Sequence, residues 1–382
     1  MTSLSKGPLS GLGPAARWCL VAGVVDPTEP APTVEEVERE TDVLFAEGLS
    51  AVVVHALGQI PAHRDRPYFG MFRSVTLTTQ MKAMAAETAA APALSALAAT
   101  GVRTAVVKGP AMAALHPSGW PRTYGDIDLI VTPDDFPRTI RCIEDLGFTT
   151  SERAIPQWEW FDLRCREGVN LHSAGGGNLD VHHHVPPWSL GSGVRAEDVL
   201  RRSDPAELCG TPVRFASAGD LLLISALHVL NDLWKGKMGL ASWRDVLVLL
   251  HRLGADRARA VFAEAGLAWL HDLMVVEFAR SVPEAGIARP ATLERPSPVQ
   301  RFRLASLGWS GDSMATRQRL AWVSRLPVAN GILFLAGTLV PSPTYIRNRH
   351  GGYLDYWRRG LSETVSTAKG ADYRMTTVDD YE

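Results

Sequence analysis

The chain has 382 residues, of which 46% are hydrophobic and 21% charged, a composition typical of a globular protein with room for two or three domains. Its formal net charge is −2 at pH 7, from 39 basic and 41 acidic residues. Proteins that bind long nucleic acids usually carry a strong basic excess or a basic stripe, so the charge balance does not favour nucleic acid as a partner.

The cysteines and the apolar segments bear on the cellular location. The four cysteines are scattered without paired spacing, which argues against a zinc finger or a disulfide framework and favours a reducing compartment. The first residues lack the apolar core of a signal peptide, so we expect a cytoplasmic protein. The one long apolar tract, residues 326–340, is shorter than the ~20 residues that a membrane span needs. We therefore expect no membrane span and interpret the tract as a buried helix.

The first hundred residues predict a helical segment that leads to the core. Residues 1–32 are rich in glycine, proline and serine and are expected to form a loose arm, of which residues 18–25 could dock on the body. Thr33 and Glu36 have the spacing of a capping box and predict the start of a helix. The rest of the segment predicts a helix at residues 49–57, a loop at 60–67, and one or two helices at 71–99, interrupted near Pro92.

Residues 105–131 combine a strand, a turn, a helix and a second strand. The β-branched run at residues 102–107 predicts a strand that ends at Lys108 and Gly109. In the second strand, Asp126 and Asp128 alternate with apolar residues, so both carboxylates lie on one face. Like charges this close raise each other's pKa unless a cation stabilises them, and Mg²⁺ suits two carboxylates. Taken alone, an Asp-x-Asp motif fits a solvated strand edge or a turn as well as it fits a metal site.

Three residues around this unit suit a phosphate. Gly109 ends its strand where a phosphate could approach a bare backbone. Lys108 and Arg122 supply positive charge complementary to phosphate. The combination favours a metal–phosphate site over a solvated edge.

A third candidate strand carries another carboxylate. A capped helix follows the Asp pair and ends at Gly147, and strands are predicted at residues 148–152, 157–165, 169–172 and 179–185. In the last of these, Asp180, His182 and His184 share one face, so a third carboxylate is expected to face the first two. Three roles stay open for the histidines: a solvated strand edge or a core position, support of the carboxylates, and direct ligation of a metal. Only His182 is taken as a candidate.

The remainder of the chain predicts mostly helices. Ser217 to Asp220 and Ser242 to Asp245 are caps followed by apolar runs, and further helices are expected at residues 255–264, 269–279, 299–307 and 314–326. On such a helix His228 is more often a hydrogen-bonded core residue than a catalyst, and Arg244 with Asp245 more often an N-terminal dipole and interhelix pair. A structural role is therefore favoured for these residues, and a functional one stays open. The predicted organisation is a helical segment at 1–100, a core at 101–190 and a helical domain at 191–382.

These motifs resemble the nucleotidyltransferase superfamily typified by DNA polymerase β, and more narrowly a bacterial family known only as uncharacterised nucleotidyltransferases. The family pattern is a Lys-Gly turn, an arginine before Gly-Asp-x-Asp, and a later Asp-x-His. Here these are Lys108-Gly109, Arg122, Gly125-Asp126-Ile127-Asp128 and Asp180-Val181-His182. His228 and Trp243-Arg244-Asp245 also look like a C-terminal motif of the group. The resemblance implies an α+β fold: a polymerase-β-like mixed sheet with flanking helices, framed by N- and C-terminal helical segments.

The resemblance also implies an activity, namely transfer of a nucleoside monophosphate from a nucleoside triphosphate, expected to be ATP, to a hydroxyl or similar acceptor, with release of pyrophosphate. The implied cofactor is Mg²⁺ or Mn²⁺, and the acceptor can be a small molecule, a peptide or a protein. The implied metal ligands and catalytic residues are Asp126, Asp128 and Asp180, with Asp180 on the acceptor side. The implied nucleotide contacts are Lys108, Gly109, Arg122, Gly125 and His182.

One residue departs from the superfamily pattern. Pro110 stands where serine or glycine usually follows the turn, and proline offers neither a hydroxyl nor an amide donor. Phosphate would then be held by other amides together with Lys108 and Arg122. Two alternatives stay open: a catalytically weak nucleotide-binding or regulatory protein on the same fold, and a metal-dependent hydrolase built on the His cluster.

Overall fold

The computed structural model describes residues 7–25, 30–150, 160–161, 165, 167–185, 194–234, 237–298, 300–301, 328–349 and 351–358. The strands within these ranges are β1 (Ala105–Val106), β2 (Ile127–Ile130), β3 (Gly168–His172), β4 (Asn178–His182), β5 (Asp204–Leu208) and β6 (Thr211–Phe215). The helices are α1 (Pro14–Val21), α2 (Val34–Ala46), α3 (Ser50–Leu57), α4 (Pro61–Arg64), α5 (Pro67–Ala99), α6 (Pro110–Ala113), α7 (Phe136–Asp145), α8 (Ala196–Arg202), α9 (Ala218–Trp234), α10 (Leu240–Leu253), α11 (Ala255–Glu264), α12 (Ala268–Ser281), α13 (Val328–Leu339) and α14 (Pro343–Arg349).

The strands form one mixed sheet in the order β3-β4-β2-β1-β6-β5. β2 pairs in parallel with β4 and antiparallel with β1, and β1 pairs in parallel with β6. The apolar residues of β2, Ile127 and Leu129, are fully buried, as their alternation predicts. Helix α5 packs against β2, β4 and β6, while α9 and α10 pack on each other. The predicted α+β fold, a mixed sheet with flanking helices, is confirmed.

Part of the predicted loose arm is helical and buried. Residues 14–21 form helix α1, which packs against α2 and α10. Cys19 and Leu20 are completely buried in these contacts. The expectation that residues 18–25 dock on the body is confirmed by this helix, whereas a loose arm is wrong for residues 14–21, because their apolar side chains find partners that are distant in sequence.

Helix α5 runs without interruption through Pro92, and the predicted loop at residues 60–67 contains the short helix α4. A proline inside a helix removes one hydrogen bond and costs about 3 kcal/mol. The turns on both sides of Pro92 bury Ala90, Ala93 and Leu94. We infer that this packing offsets the cost and keeps the helix continuous.

The sheet differs from the prediction at its edges. In the predicted strand at 148–152, Thr149 makes an isolated bridge with His172. In the predicted strand at 157–165, Trp160, Phe161 and Cys165 have helical backbone, and the other residues lie outside the described ranges. The β5–β6 hairpin was not predicted and extends the sheet to Phe215, beyond residue 190.

Residues 328–339 of the apolar tract form helix α13, which is buried on one face only, where Phe334 packs against Phe161, and not throughout as predicted. Ile332 and Leu339 are 63% and 62% exposed. Within the described part of the chain, no helix is both long and apolar enough to cross a membrane. The predicted helix at 314–326 and most of that at 299–307 lie outside the described residues.

Candidate active site

The centre of the site is a pair of carboxylates on neighbouring strands. The parallel register of β2 and β4 places Asp128 directly opposite Asp180, and His182 follows two residues later on the same face. One ligand atom from each of the three side chains lies within 4.8 Å of the others. Asp128 is buried and Asp180 is half-buried. The structure thus brings three of the predicted site residues into one cluster.

Two cations compensate this cluster. His182 Nε2 lies 3.4 Å from Asp128 Oδ1 and 3.2 Å from Asp180 Oδ2, and Lys108 Nζ lies 3.7 Å from Asp128 Oδ1. Burial would lower the pKa of His182, but Asp180 and Asp128 raise it to about 10. Burial would likewise raise the pKa of Asp128, yet Lys108 and the hydrogen bond from His182 hold it well below its usual range. Asp128 is therefore ionised at neutral pH.

Asp126 has a different environment from Asp128. It lies immediately before β2, half-buried, and does not share in the three-residue cluster. Burial, with the negative charge of Asp128 next in size, raises the pKa of Asp126, although Lys108 opposes the shift. The two carboxylates of the Asp-x-Asp motif are thus electrostatically unequal.

The Lys-Gly turn is held against the backbone of the Asp pair. The amide of Val107 donates to the carbonyl oxygen of Asp128 at 3.0 Å. Gly109 has φ 52° and ψ −117°, and a Cβ atom there would lie 2.9 Å from the carbonyl oxygen of Asp126. Only glycine adopts this backbone conformation without strain. The positive φ and the close approach of the two chain segments therefore account for glycine at position 109. At Gly125 a Cβ atom would meet open space, and the structure shows no steric reason for glycine there.

Arg122 is held by a buried carboxylate of helix α10. Arg122 Nη2 donates to Asp245 Oδ2 at 2.8 Å and Arg122 Nε to Asp245 Oδ1 at 3.4 Å, while Nη1 donates to the carbonyl oxygen of Thr123 at 3.1 Å. Burial would lower the pKa of Arg122, but Asp245 raises it above its usual value, and Asp128 and Asp126 add to that effect. Arg122 therefore lies within electrostatic reach of the Asp pair.

The sequence interpretation did not place His228 or Asp245 at this site. His228 Nδ1 lies 3.2 Å from Lys108 Nζ, and the His228 side chain is 33% exposed instead of enclosed in the core. Asp245 reaches the site through Arg122. The likeness of both residues to the C-terminal family motif was the available signal, but their helical setting favoured a structural role.

The two histidines after His182 do not join the ligand cluster. The His183 ring packs against the Phe136 ring with centroids 4.2 Å apart. Burial lowers the pKa of His184 to about 4, with a small opposing effect from Glu197. Among the described residues, the metal-ligand geometry is restricted to Asp128, Asp180 and His182.

One protein family matches most of the chain. A family model described as an uncharacterised nucleotidyltransferase matches residues 34–273, a span that includes every site residue named above. No curated protein matches the chain. One similar solved structure is that of the antibiotic-resistance factor ANT(2'')-Ia, with 16% identity over 47% of this chain and 89% of that chain and a TM-score of 0.33, a likeness too low to carry an argument about substrate. Because the family match covers more than half of the residues, the chain belongs to the family of uncharacterised nucleotidyltransferases.

Proposed function

We propose that the protein is a divalent-metal-dependent enzyme that transfers a nucleoside monophosphate from a nucleoside triphosphate to a hydroxyl acceptor and releases pyrophosphate. The observation that carries the proposal is the placement of Asp128 opposite Asp180 on parallel strands, next to Lys108. The family membership supports it. The metal of the proposal is Mg²⁺ or Mn²⁺ and the nucleotide is ATP.

The donor set of the cluster fits a hard divalent cation. Asp128 and Asp180 offer carboxylate oxygens, which Mg²⁺ and Mn²⁺ prefer, and His182 adds a nitrogen that Mn²⁺ accepts once the ring has lost its extra proton. In the proposal Asp128 and Asp180 hold the metal with His182 beside it, and Asp126, which is not part of that three-residue cluster, supplies a further ligand. When bound, the metal would orient the phosphates and stabilise the charge that develops at the α-phosphorus.

The positive side chains of the site suit the triphosphate. Lys108 Nζ has three N–H donors in a half-buried position between Asp128 and His228. The contacts of Arg122 described above use three of its five N–H donors, so two remain for a ligand. Both side chains can therefore donate charge-assisted hydrogen bonds to phosphate oxygens, which are stronger than neutral ones.

Asp180 suits the acceptor side better than Asp128 does. The Asp180 side chain is 24% exposed and the Asp128 side chain 6%, so Asp180 is more accessible to an incoming hydroxyl. In the proposed reaction Asp180 accepts the hydroxyl proton while the acceptor oxygen forms a bond to the α-phosphorus. The bond from the α-phosphorus to its bridging oxygen breaks, and pyrophosphate takes the electron pair.

Nucleotide binding can be tested without knowing the acceptor. We expect a non-hydrolysable ATP analogue to bind the purified protein in the presence of Mg²⁺ or Mn²⁺, and binding to weaken strongly in Asp128→Asn. Asp220→Asn is a matched control, because Asp220 is a buried carboxylate paired with Arg202 outside the site. Pyrophosphate release with a panel of acceptors then measures turnover. Absence of metal-dependent nucleotide binding would refute the proposal.

The position of His182 between two carboxylates favours one competing function, a metal-dependent hydrolase. An Asp–Asp–His ligand set also suits zinc, whereas nucleotidyl transfer requires a weakly held hard cation. Metal analysis of the protein purified without added metal separates the two. Tightly retained zinc would favour the hydrolase, and weak binding of Mg²⁺ or Mn²⁺ the transferase.

Pro110 keeps the second alternative open, a nucleotide-binding protein with little turnover. Pro110 starts the short helix α6 and supplies no amide donor at the turn. Nucleotide binding by titration, without pyrophosphate release for any acceptor, would favour this alternative.

A further inference from the structure

Asp245 is a buried carboxylate with an unusual concentration of partners. It lies in α10 and is only 4% exposed. Its Oδ1 atom accepts from His116 Nε2 at 2.8 Å, and its two oxygens pair with Nη2 and Nε of Arg122. Burial would raise the pKa of Asp245, but Arg122 and His116 outweigh burial and hold it well below the usual range. Asp245 is therefore a fixed negative charge.

Both partners of Asp245 belong to the same stretch of chain. His116 and Arg122 lie between α6 and β2, in the segment that leads directly to Asp126. The ion pair with Arg122 spans 123 residues in sequence. Asp245 thus connects the helices that follow the sheet to the segment that delivers the Asp pair.

The geometry of Arg122 gives this connection a consequence for ligand binding. A bidentate carboxylate engages Nε and Nη2 together and sets the plane of the guanidinium. The Thr123 carbonyl accepts from Nη1 and restricts the same group further. The two remaining donors are held in fixed directions before any ligand arrives, and a preorganised group loses less entropy on binding.

We propose that Asp245 is a positioning residue of the nucleotidyl-transfer site, which orients Arg122 for the phosphates of the nucleotide and does not itself touch the substrate. This inference rests on the proposed function.

The neighbouring Arg244 illustrates the alternative, a purely structural role. It donates to the carbonyl oxygens of Cys19, Leu20 and Ala22 and thereby fixes α1 to α10. Those contacts involve backbone atoms outside the site. Asp245, in contrast, engages a side chain whose pKa also responds to Asp126 and Asp128.

The test compares two buried carboxylates that each hold an arginine. Asp245→Asn keeps the shape of the side chain but removes the negative charge that pairs with Arg122, and Asp220→Asn removes the negative charge that pairs with Arg202. Affinity for the non-hydrolysable ATP analogue with Mg²⁺ is measured by titration calorimetry, and stability by urea unfolding. We expect both variants to lose stability. Only Asp245→Asn should raise the Kd of the nucleotide, on the order of tenfold, because Arg122 is no longer held in place.

A double-mutant cycle with Arg122→Ala shows whether Asp245 acts through Arg122. If it does, adding Asp245→Asn to Arg122→Ala should leave the Kd unchanged within about twofold. The inference would be overturned if Asp245→Asn raised the Kd by the same factor in the parent and in Arg122→Ala. It would also be overturned by parent-like affinity in folded Asp245→Asn, or by the same rise in Kd in Asp220→Asn.

A failure of the inference can be distinguished from a failure of the variant to fold and from a failure of the proposed function. If Asp245→Asn does not fold, Arg122→Lys takes its place, since it keeps the charge but loses the bidentate bond; parent-like affinity in Arg122→Lys would overturn the inference. If the parent protein binds no nucleotide, the proposed function fails and the inference fails with it. If the parent binds and Asp245→Asn binds equally well, the inference fails alone.

Discussion

Replacing Asp126 or Asp128 by asparagine removes one carboxylate charge from positions two residues apart, yet the two variants should change stability in opposite directions. At Asp128 burial raises the pKa but Lys108 and His182 outweigh it, so the folded state favours the ionised form. At Asp126 burial and the charge of Asp128 raise the pKa, so the folded state disfavours the ionised form. A neutral asparagine should therefore lower the free energy of unfolding at position 128. At position 126 it should raise the free energy of unfolding or leave it unchanged, because it removes an unfavourable buried charge.

The magnitude at Asp128 follows from its contacts. Removing one partner from a fully buried ion pair costs about 3 to 5 kcal/mol. Here Lys108 is 20% exposed and therefore partly solvated, and His182 also lies 3.2 Å from Asp180, so neither cation depends on Asp128 alone. We therefore expect Asp128→Asn to lower the free energy of unfolding by about 1 to 3 kcal/mol. Asp126→Asn should be as stable as the parent or more stable, by up to about 1 kcal/mol.

Urea unfolding at pH 7 in the presence of a chelator measures both effects without metal. The contribution of Asp128 is present above its unfolded pKa of about 3.9 and is lost as the pH falls through its lower folded pKa. The penalty at Asp126 has the opposite dependence: it is present at pH 7 and disappears as the pH falls through its raised folded pKa. As the pH falls, the difference in free energy of unfolding between the parent and Asp126→Asn should therefore vanish first. The difference between the parent and Asp128→Asn should vanish only at lower pH.

The reasoning would be refuted by an Asp128→Asn variant that is as stable as the parent or more stable, since Lys108 and His182 would then not stabilise its charge. Unfolding of both variants would show that the pair is structural. Nucleotidyl transfer should be lost in both variants, irrespective of their stability.

Three other substitutions test the site. Asp180→Asn should leave nucleotide affinity within a few-fold of the parent but lower kcat by on the order of 10² or more, measured by pyrophosphate release; a loss of affinity equal to that in Asp128→Asn would instead indicate a single metal cage. Arg122→Ala should weaken nucleotide binding by about 1.5 to 3 kcal/mol in titration calorimetry, and unchanged affinity would remove Arg122 from the site. Gly109→Ala should lower the free energy of unfolding by about 1 to 3 kcal/mol, because its Cβ atom would lie 2.9 Å from the Asp126 carbonyl oxygen; parent-like stability would show that the turn adapts.

The amino-acid sequence by itself determined the local parts of the site. Alternation along a strand sets the face on which each side chain lies. Asp126 and Asp128 could therefore be assigned to one face of their strand, and Asp180 and His182 to one face of theirs. The same local rules predicted the capping box at Thr33, which the structure shows. Local patterns were less reliable at one end of the sheet, where β5 and β6 contain prolines and are partly exposed, and therefore lack the apolar alternation of a buried strand.

Only the tertiary structure decided which distant groups meet. Asp128 could have paired with other positions of the third strand, and the parallel register places it opposite Asp180. The contact of Lys108 with His228 spans 120 residues, and no periodic pattern connects two such positions. The unequal pKa shifts of Asp126 and Asp128 also depend on burial and on cations brought in by other elements. Spacing along the chain determines which residue types share a face, whereas the electrostatics of the site depends on distances that only packing establishes.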